Sequence, residues 1–210
     1  MPTVITLVIA GAAGWALWTL GEYVLHRFAM HQLRGKGVMS REHLLHHVTA
    51  DWSFDPLTLL SWLGVILVGT MLWAPLGWLL GGAVWGLSLA GGWTVGYFFY
   101  EYHHAMSHLR PPTTRYQRWV RRHHFHHHFG APLANHGVTT SFWDHVWGTW
   151  QRPERVRVPR RLALAWLLDD TGELRPEFAD DYVLVGSRRS ADTLDGTDRD
   201  RAFASMAPVD

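Results

Sequence analysis

The segment His123-His124-Phe125-His126-His127-His128 holds five histidines in six positions, in a chain of 210 residues that contains no cysteine. All 15 histidines of the chain lie between positions 26 and 145. Five imidazoles this close together are not explained by the packing of an apolar core. Further groups precede the run along the chain: His26 and His31; His43, His46 and His47; His103, His104 and His108. The sequence thus raises the question whether these groups converge on a metal.

The spacing of the histidines fits helices with a histidine-bearing face, because residues three and four positions apart on an α-helix share a side. Residues 43–47 have the pattern HxxHH, which places three imidazoles on one side of a helix, and residues 124–128 repeat it. Residues 123–127 fit the same pattern, so periodicity alone leaves both registers open. His104 and His108 likewise share a face, at the end of an apolar helix.

His26 and His31 are an exception, because residues five positions apart lie about 140° apart around an ideal α-helix. On a regular helix these two side chains would not reach one site. We therefore expect either that the helix frays between them or that they serve two different metal ions.

Imidazole nitrogen binds Zn, Cu, Fe and Ni, so the histidine groups predict a transition-metal site. Ten histidines in four spaced groups are more ligands than one ion can use. The simplest interpretation is that two metal ions share the ten ligands. Few carboxylates lie near these histidines, so the ions would keep a high positive charge. Such a site suits activation of dioxygen by iron better than hydrolysis by a metal-bound hydroxide. The absence of cysteine excludes thiolate-held iron–sulfur clusters and cysteine-bound zinc.

Two long stretches, residues 4–21 and 57–100, contain no Asp, Glu, Lys, Arg or His. A helix that crosses a bilayer needs about 20 mostly apolar residues. We therefore predict an all-α integral membrane protein with about three spanning helices. The predicted spans are residues 4–25, 57–74 and 76–100, with a very short turn at Pro75 between the last two.

Basic residues flank the apolar stretches and set the predicted orientation, because loops rich in Lys and Arg stay on the cytoplasmic side. The basic segments 26–56 and 101–161 are placed in the cytoplasm, and the uncharged turn at 74–76 is placed on the opposite side. Every histidine group then faces the cytoplasm, where the histidine-rich helices form a helical cap.

Residues 162–168 are apolar but too few to span, so we predict an interfacial helix there. Residues 186–210 are polar with little to bury and are predicted to form a disordered tail. Neither GxGxxG nor GxxxxGKS/T occurs, and the net charge is only +1. We therefore expect neither a nucleotide fold nor a nucleic-acid partner.

In their order along the chain, the histidine groups resemble the histidine boxes of the fatty acid hydroxylase and sterol desaturase superfamily, whose members are integral membrane oxygenases. The resemblance is carried by residues 26–31, 43–47, 100–108, 124–129 and 135–149. It implies that residues 1–185 form one membrane hydroxylase-like domain.

The resemblance implies metal ligation by ten histidines: His26, His31, His43, His46, His47, His104, His108, His124, His127 and His128. It favours the register 124–128, because Phe129 follows HxxHH as in the family. Candidates for orienting the ligating imidazoles are Asp144, Asn135, Glu101 and His145. No role is assigned to His103, His123, His126 and His136.

Members of the superfamily use two iron ions and dioxygen to hydroxylate or desaturate unactivated C–H bonds of lipids, and purified forms can carry zinc. The fatty acid 2-hydroxylase branch looks closest, so the resemblance implies hydroxylation of a lipid acyl chain, with C-2 as a candidate position. No cytochrome b5-type domain is visible, so we expect a separate electron donor of the ferredoxin or cytochrome b5 type.

Two alternatives remain open from the sequence. One is a sterol or carotenoid oxidase or a desaturase of the same superfamily. The other, from a different class, is a non-catalytic membrane metal-binding protein. A transporter would need polar groups inside its spans, and residues 57–100 contain no ionisable side chain.

Overall fold

A computed structural model describes residues 3–186 of the chain, which are mostly helical. Apart from its first residue, the predicted tail 186–210 lies outside the described residues. The elements are α1 (Thr3–Val24), a π-helical segment (Leu25–Gln32), α2 (Val38–Thr49), α3 (Pro56–Gly81), α4 (Ala83–Leu109), α5 (Arg115–Phe129), α6 (Phe142–Val146), β1 (Val156–Pro159) and β2 (Tyr182–Val185). Short 3-10 turns lie at Arg160–Leu162, Ala165–Leu167 and Pro176–Phe178.

The chain divides into two compact units. The first unit consists of Met1–Glu22 and Ser53–Tyr102, and it contains α3 with most of α1 and α4. The second unit consists of Tyr23–Trp52 and His103–Asp210, and it contains all 15 histidines. The assignment of residues 1–185 to one domain stays a prediction.

Glycines allow the helices of the first unit to approach each other closely. A Cβ atom added at Gly92 on α4 would lie 2.0 Å from the carbonyl oxygen of Gly11 on α1. A Cβ atom added at Gly77 on α3 would lie 2.7 Å from Cα of Gly86 on α4. Both distances are too short for any larger residue, so α4 packs against α1 and α3 through bare backbone.

Two helices in the described part of the chain are long and apolar enough to cross a membrane, Thr3–Gln32 and Pro56–Gly81. They correspond to the first two predicted spans. The third predicted span falls mainly on α4, which is not one of these two helices. The count of three spanning helices therefore stays a prediction.

The predicted turn at Pro75 is wrong. Helix α3 continues through Pro75 to Gly81, and the chain turns at Gly82, whose φ is 83°. Proline removes one helical hydrogen bond, a loss that long apolar helices tolerate. A positive φ strongly favours a residue without a Cβ atom, so the glycine ends the helix instead. The two helices are therefore 56–81 and 83–109 rather than 57–74 and 76–100.

The second unit contains a two-stranded sheet that the all-α prediction missed, in which β1 and β2 run parallel. Its apolar side chains pack with Trp166 and Leu167 against Phe125 of α5. The apolar residues 162–168, predicted as an interfacial helix, instead form 3-10 turns, and their largest side chains are buried in this core. The core supports the face of α5 that carries Phe125.

Candidate metal centre

The ten histidines that the sequence predicts as ligands lie together in the second unit, in two groups of five. Group A consists of His26, His31, His43, His47 and His127. Group B consists of His46, His104, His108, His124 and His128. Within each group, one nitrogen of every ring lies within 4.8 Å of one nitrogen of each other ring. Each group could therefore hold one metal ion.

The Nε2 atoms of group A converge. His43 Nε2 lies 3.0 Å from His26 Nε2, 2.9 Å from His31 Nε2 and 3.0 Å from His47 Nε2. His127 Nε2 lies 3.0 Å from His31 Nε2 and 3.1 Å from His47 Nε2. Two nitrogens that bind one ion at about 2.1 Å and at a right angle are about 3.0 Å apart. The spacing in group A is thus that of ligands around a common ion.

Group B has the same spacing. His46 Nε2 lies 3.1 Å from His104 Nε2, and His108 Nε2 lies 3.0 Å from His124 Nε2. The His128 ring lies 4.4 Å from the His124 ring, measured between centroids. Both nitrogens of His128 are buried without a hydrogen bond. Because buried polar atoms rarely lack a partner, a metal ion in this group would explain the arrangement.

Backbone carbonyl groups orient rings of both groups through the Nδ1 atom. In group A, His26 Nδ1 lies 2.5 Å from the carbonyl oxygen of His136, and His127 Nδ1 lies 2.7 Å from that of Ala134. In group B, His46 Nδ1 lies 2.6 Å from the carbonyl oxygen of Asp51, and His108 Nδ1 lies 2.8 Å from that of Ala50. A ring that donates its Nδ1–H keeps a lone pair on Nε2. The Nε2 atoms of these four rings are therefore available to a cation.

The HxxHH patterns of α2 and α5 divide their histidines between the two groups. Helix α2 places His46 in group B and its other two histidines in group A. Helix α5 places His127 in group A and its other two histidines in group B. The rings of His47 and His128 stack with centroids 4.0 Å apart and an angle of 7° between their planes. The two groups therefore adjoin, and both helices serve both of them.

His26 and His31 enter the same group because the chain between them is not a regular α-helix. Leu25–Gln32 is a π-helix, which closes hydrogen bonds between residues five positions apart. Residues at that spacing come to lie on the same side, and the two ring centroids are 5.1 Å apart. The expectation of a frayed helix or of two separate metals is wrong, because the helix widens and stays hydrogen-bonded.

Burial favours the uncharged form of the imidazoles that α2 and α5 contribute to groups A and B. It lowers the pKa of His46 from 6.5 to about 4. It also lowers the pKa values of His43, His47 and His127 well below 6.5, and repulsion from neighbouring imidazoles adds to the effect. Neutral imidazole is the form that binds metals. At pH 7 these side chains are thus in the state that ligation requires.

Asp144, a candidate for orienting the ligands, acts on group A through the backbone of the loop that follows α5. Its Oδ1 accepts hydrogen bonds from the His136 N–H at 2.8 Å and from the Thr149 hydroxyl at 2.7 Å. Its Oδ2 accepts a hydrogen bond from the Gly137 N–H at 2.9 Å. The carboxylate thereby fixes the peptide whose carbonyl oxygen meets His26.

Asn135 supports the same loop from within. Its backbone has a positive φ of 56°. Its side-chain oxygen accepts a hydrogen bond from the Gln151 N–H at 2.8 Å, and its side-chain NH2 group donates one to the Gln151 carbonyl oxygen at 2.9 Å. The other two candidates lie elsewhere. His145 is exposed and stacks on Trp150 outside both groups, and Glu101 belongs to α4 in the first unit.

Of the histidines without an assigned role, His136 is the one that sequence reasoning missed. Its backbone oxygen meets His26, and its buried ring lies 5.5 Å from the rings of His26 and His31. No helical spacing links it to the other histidines, and its place in the segment 135–149 was the available signal. His123 and His126 lie outside both groups, and the three histidines of the register that begins at His124 lie within them.

Comparisons with known proteins all find similarity to fatty acid hydroxylases. The family model described as fatty acid hydroxylase matches residues 11–149. A dihydroceramide fatty acyl 2-hydroxylase of Arabidopsis thaliana is 29% identical over 162 residues, which cover 71% of this chain and 62% of the relative. The fatty acid 2-hydroxylase of Homo sapiens is 30% identical over 149 residues, which cover 65% of this chain and 38% of the relative.

A solved structure of full-length scs7p, in which only the hydroxylase domain is visible, is similar to this chain with a TM-score of 0.55 and 26% identity. The similarity covers 73% of this chain and 59% of that one. The chain thus spans less than two thirds of the length of each of these three proteins.

Proposed function

Because the chain belongs to the fatty acid hydroxylase family, we propose that it is a membrane-bound monooxygenase that hydroxylates a lipid acyl chain, at C-2. The similar proteins, which are named as fatty acyl and fatty acid 2-hydroxylases, support this choice of reaction. One observation carries the proposal: ten histidines form two buried groups whose Nε2 atoms lie at the spacing of metal ligands.

We assign one iron ion to group A and one to group B. Zinc binds the same nitrogen donors and is a plausible substitute in purified protein. When bound, the two iron ions would supply the activation of dioxygen and the oxidation of the C–H bond. The protein contributes neutral nitrogen donors, and it fixes their direction through the four Nδ1 contacts to carbonyl oxygens.

The chain also keeps water away from the two groups. His31, His124 and His127 have no exposed surface, and Phe125, which lies between His124 and His127 on α5, is equally buried. Exclusion of water protects a reactive oxidant from reactions with solvent. Within the two groups, burial thus has two effects, since it also keeps the imidazoles neutral.

The proposal places the protein in the membrane as a multi-pass protein, with groups A and B facing the cytoplasm and α4 as a further span. Two apolar helices and the basic segments around the histidines support this orientation. Hydroxylation by dioxygen consumes two electrons, for which we propose a donor of the ferredoxin or cytochrome b5 type.

The function is tested by lipid mass spectrometry and metal analysis on cells and membranes that express the protein. We expect 2-hydroxylated acyl chains and about two iron ions per chain, with both lost in the double variant His127→Ala, His128→Ala. His126→Ala is the matched control, because it removes an imidazole of the same helix that lies outside both groups. The control should retain the metal and the product.

Three outcomes would contradict the proposal in different ways. Unchanged lipids, with iron bound and reduced donor supplied, would exclude the hydroxylase. Unsaturated or sterol products would move the chain to another activity of the superfamily. Variable metal content without any product would favour a metal-binding protein without catalysis.

A further inference from the structure

A cavity of about 570 Å³ in the second unit is lined by four arginines, Arg115, Arg118, Arg122 and Arg152. Asp181 is the one carboxylate among its lining residues. This carboxylate pairs with Arg118 and, at 3.1 Å, with Arg122. Arg115 and Arg152 are exposed and have no ion pair within the described part of the chain. The mouth of the cavity therefore carries unbalanced positive charge.

Three aromatic rings contribute to the lining of this cavity. Trp119, Trp150 and His123 line it together with the arginines. The ring of His123 stacks on that of Trp119, with centroids 5.1 Å apart and an angle of 18° between the planes. His123 itself is buried, so it forms the floor rather than the rim.

The floor of the cavity is connected to both groups of histidines by a short path. His123 is followed in the chain by His124, a member of group B. His123 Nε2 also lies 3.5 Å from Asp144 Oδ2. Asp144 accepts the His136 N–H, and the His136 carbonyl oxygen meets Nδ1 of His26 in group A. A few covalent bonds and close polar contacts therefore separate the cavity from either group.

We propose that this cavity is the docking site of the electron donor, a small one-electron carrier protein with an acidic surface around its redox centre. The proposal rests on the proposed function, in which R–H, O2, two protons and two electrons give R–OH and water. Two reduced carriers are each oxidised once, one oxygen atom enters the C–H bond, and the other leaves as water. Carboxylates of the carrier would pair with Arg115 and Arg152.

A carrier protein fits the cavity better than the phosphate of a lipid headgroup or a free anion. Either anion would be held by the arginines alone and would not require a connection to the histidines. A carrier protein, by contrast, would use the path from His123 to groups A and B to deliver its electrons. Charge complementarity of this kind steers association and weakens with ionic strength.

The test is a double charge reversal, Arg115→Glu with Arg152→Glu, in the full chain purified in detergent. Reduced [2Fe–2S] ferredoxin and reduced cytochrome b5 are supplied separately at increasing concentration, and the hydroxylated lipid is measured. We expect KM for the productive carrier to rise at least 10-fold, while kcat stays within 2-fold. The matched control is Arg155→Glu with Arg157→Glu, two exposed arginines that do not line the cavity, and its KM should stay within 2-fold.

A single turnover with protein reduced chemically by dithionite separates this inference from the proposed function. If the chemically reduced wild-type protein gives no hydroxylated lipid in oxygen, the proposed function fails. If that protein gives product, as the charge-reversed variant also should, an unchanged KM for the carrier would overturn the docking site alone. Failure of both carriers to support wild-type turnover would overturn it too.

The same variants distinguish the docking site from an anion site. Binding of inorganic phosphate and of vesicles containing phosphatidylserine is measured for the wild-type chain and for both double variants. Loss of either kind of binding in the cavity variant, together with an unchanged KM for the carrier, would identify a site for phosphate groups and contradict the inference. A steeper salt dependence of KM in the wild-type chain than in the cavity variant would support it.

Discussion

Groups A and B, which we propose as the ligands of two iron ions, consist of the same kind of side chain but are held in place by different means. The carbonyl groups that orient group A belong to Ala134 and His136, in a loop fixed by the side chains of Asn135 and Asp144. The carbonyl groups that orient group B belong to Ala50 and Asp51.

These last two residues directly follow α2, where Ala50 has a φ of 54° and its N–H bonds to the carbonyl of His46. Group A therefore depends on buried side-chain hydrogen bonds, and group B depends on the local path of the backbone. The comparison teaches that equal ligand sets can differ in their sensitivity to mutation.

The largest effects are expected from removing a ligand on an element that serves one group only. His31→Ala removes a ligand of group A on the π-helical segment, and His104→Ala removes a ligand of group B on α4. We expect each variant to retain about one iron ion of two and to lose at least about 100-fold in hydroxylation, because a single ion lacks its partner.

Metal analysis of the purified variants, together with lipid mass spectrometry, checks this expectation. His103→Ala is the control, because His103 is the neighbour of a ligand but lies outside both groups. Retention of two ions by either ligand variant would break the division into two groups.

An intermediate effect is expected from Asp144→Ala. The change leaves the N–H groups of His136 and Gly137 without their acceptor, so the loop should shift and release His26. Loss of such supporting contacts typically lowers metal affinity about 10–100-fold. We expect this loss in group A alone.

The iron affinity of each group can be measured separately by combining Asp144→Ala with a substitution that removes a ligand of the other group. Iron affinity is measured for Asp144→Ala in the His104→Ala background, which leaves group A, and in the His31→Ala background, which leaves group B. An equal loss in both backgrounds would show that Asp144 supports the whole unit, and the contrast between the groups would disappear.

The smallest effect is expected from Ala50→Gly. Glycine relieves the left-handed conformation, which costs other residues about 1–2 kcal/mol, but it also deletes a buried methyl group worth roughly 0.8 kcal/mol. The two contributions to the free energy of unfolding oppose each other, and the carbonyl oxygen that orients His108 remains. We expect the iron affinity of group B, measured in the His31→Ala background, to change less than about 3-fold, or less than about 0.7 kcal/mol.

The parts of the site that a regular helix determines could be predicted from the sequence. HxxHH at 43–47 and 124–128 specifies which rings share a face. It does not show that each pattern is divided between two groups, because that depends on how α2 and α5 face each other. The π-helix at Leu25–Gln32 could not be predicted from the spacing of its histidines either. The period of an α-helix would place His26 and His31 on different sides, whereas the π-helix brings them together.

The long apolar helices could be predicted from the composition of the chain. The position of a turn that depends on a single residue was harder to predict. Proline at position 75 indicated a turn, but α3 runs through it and glycine at 82 ends the helix. The strands β1 and β2 have four residues each and lie far apart in the chain, so neither has enough periodicity to be seen alone. The role of their apolar residues is seen only in the structure, where these residues pack together with Trp166 against Phe125.

Under the proposed assignment of one iron ion to each group, the division of α2 and α5 between the groups has a consequence for how the protein would acquire its metals. An ion bound in group A fixes both helices and so orders part of group B before a second ion arrives. The second ion then binds with a smaller loss of conformational entropy, which makes loading cooperative. When iron is scarce, empty and fully loaded chains should coexist, and half-loaded chains, which could consume dioxygen without oxidising lipid, should be rare.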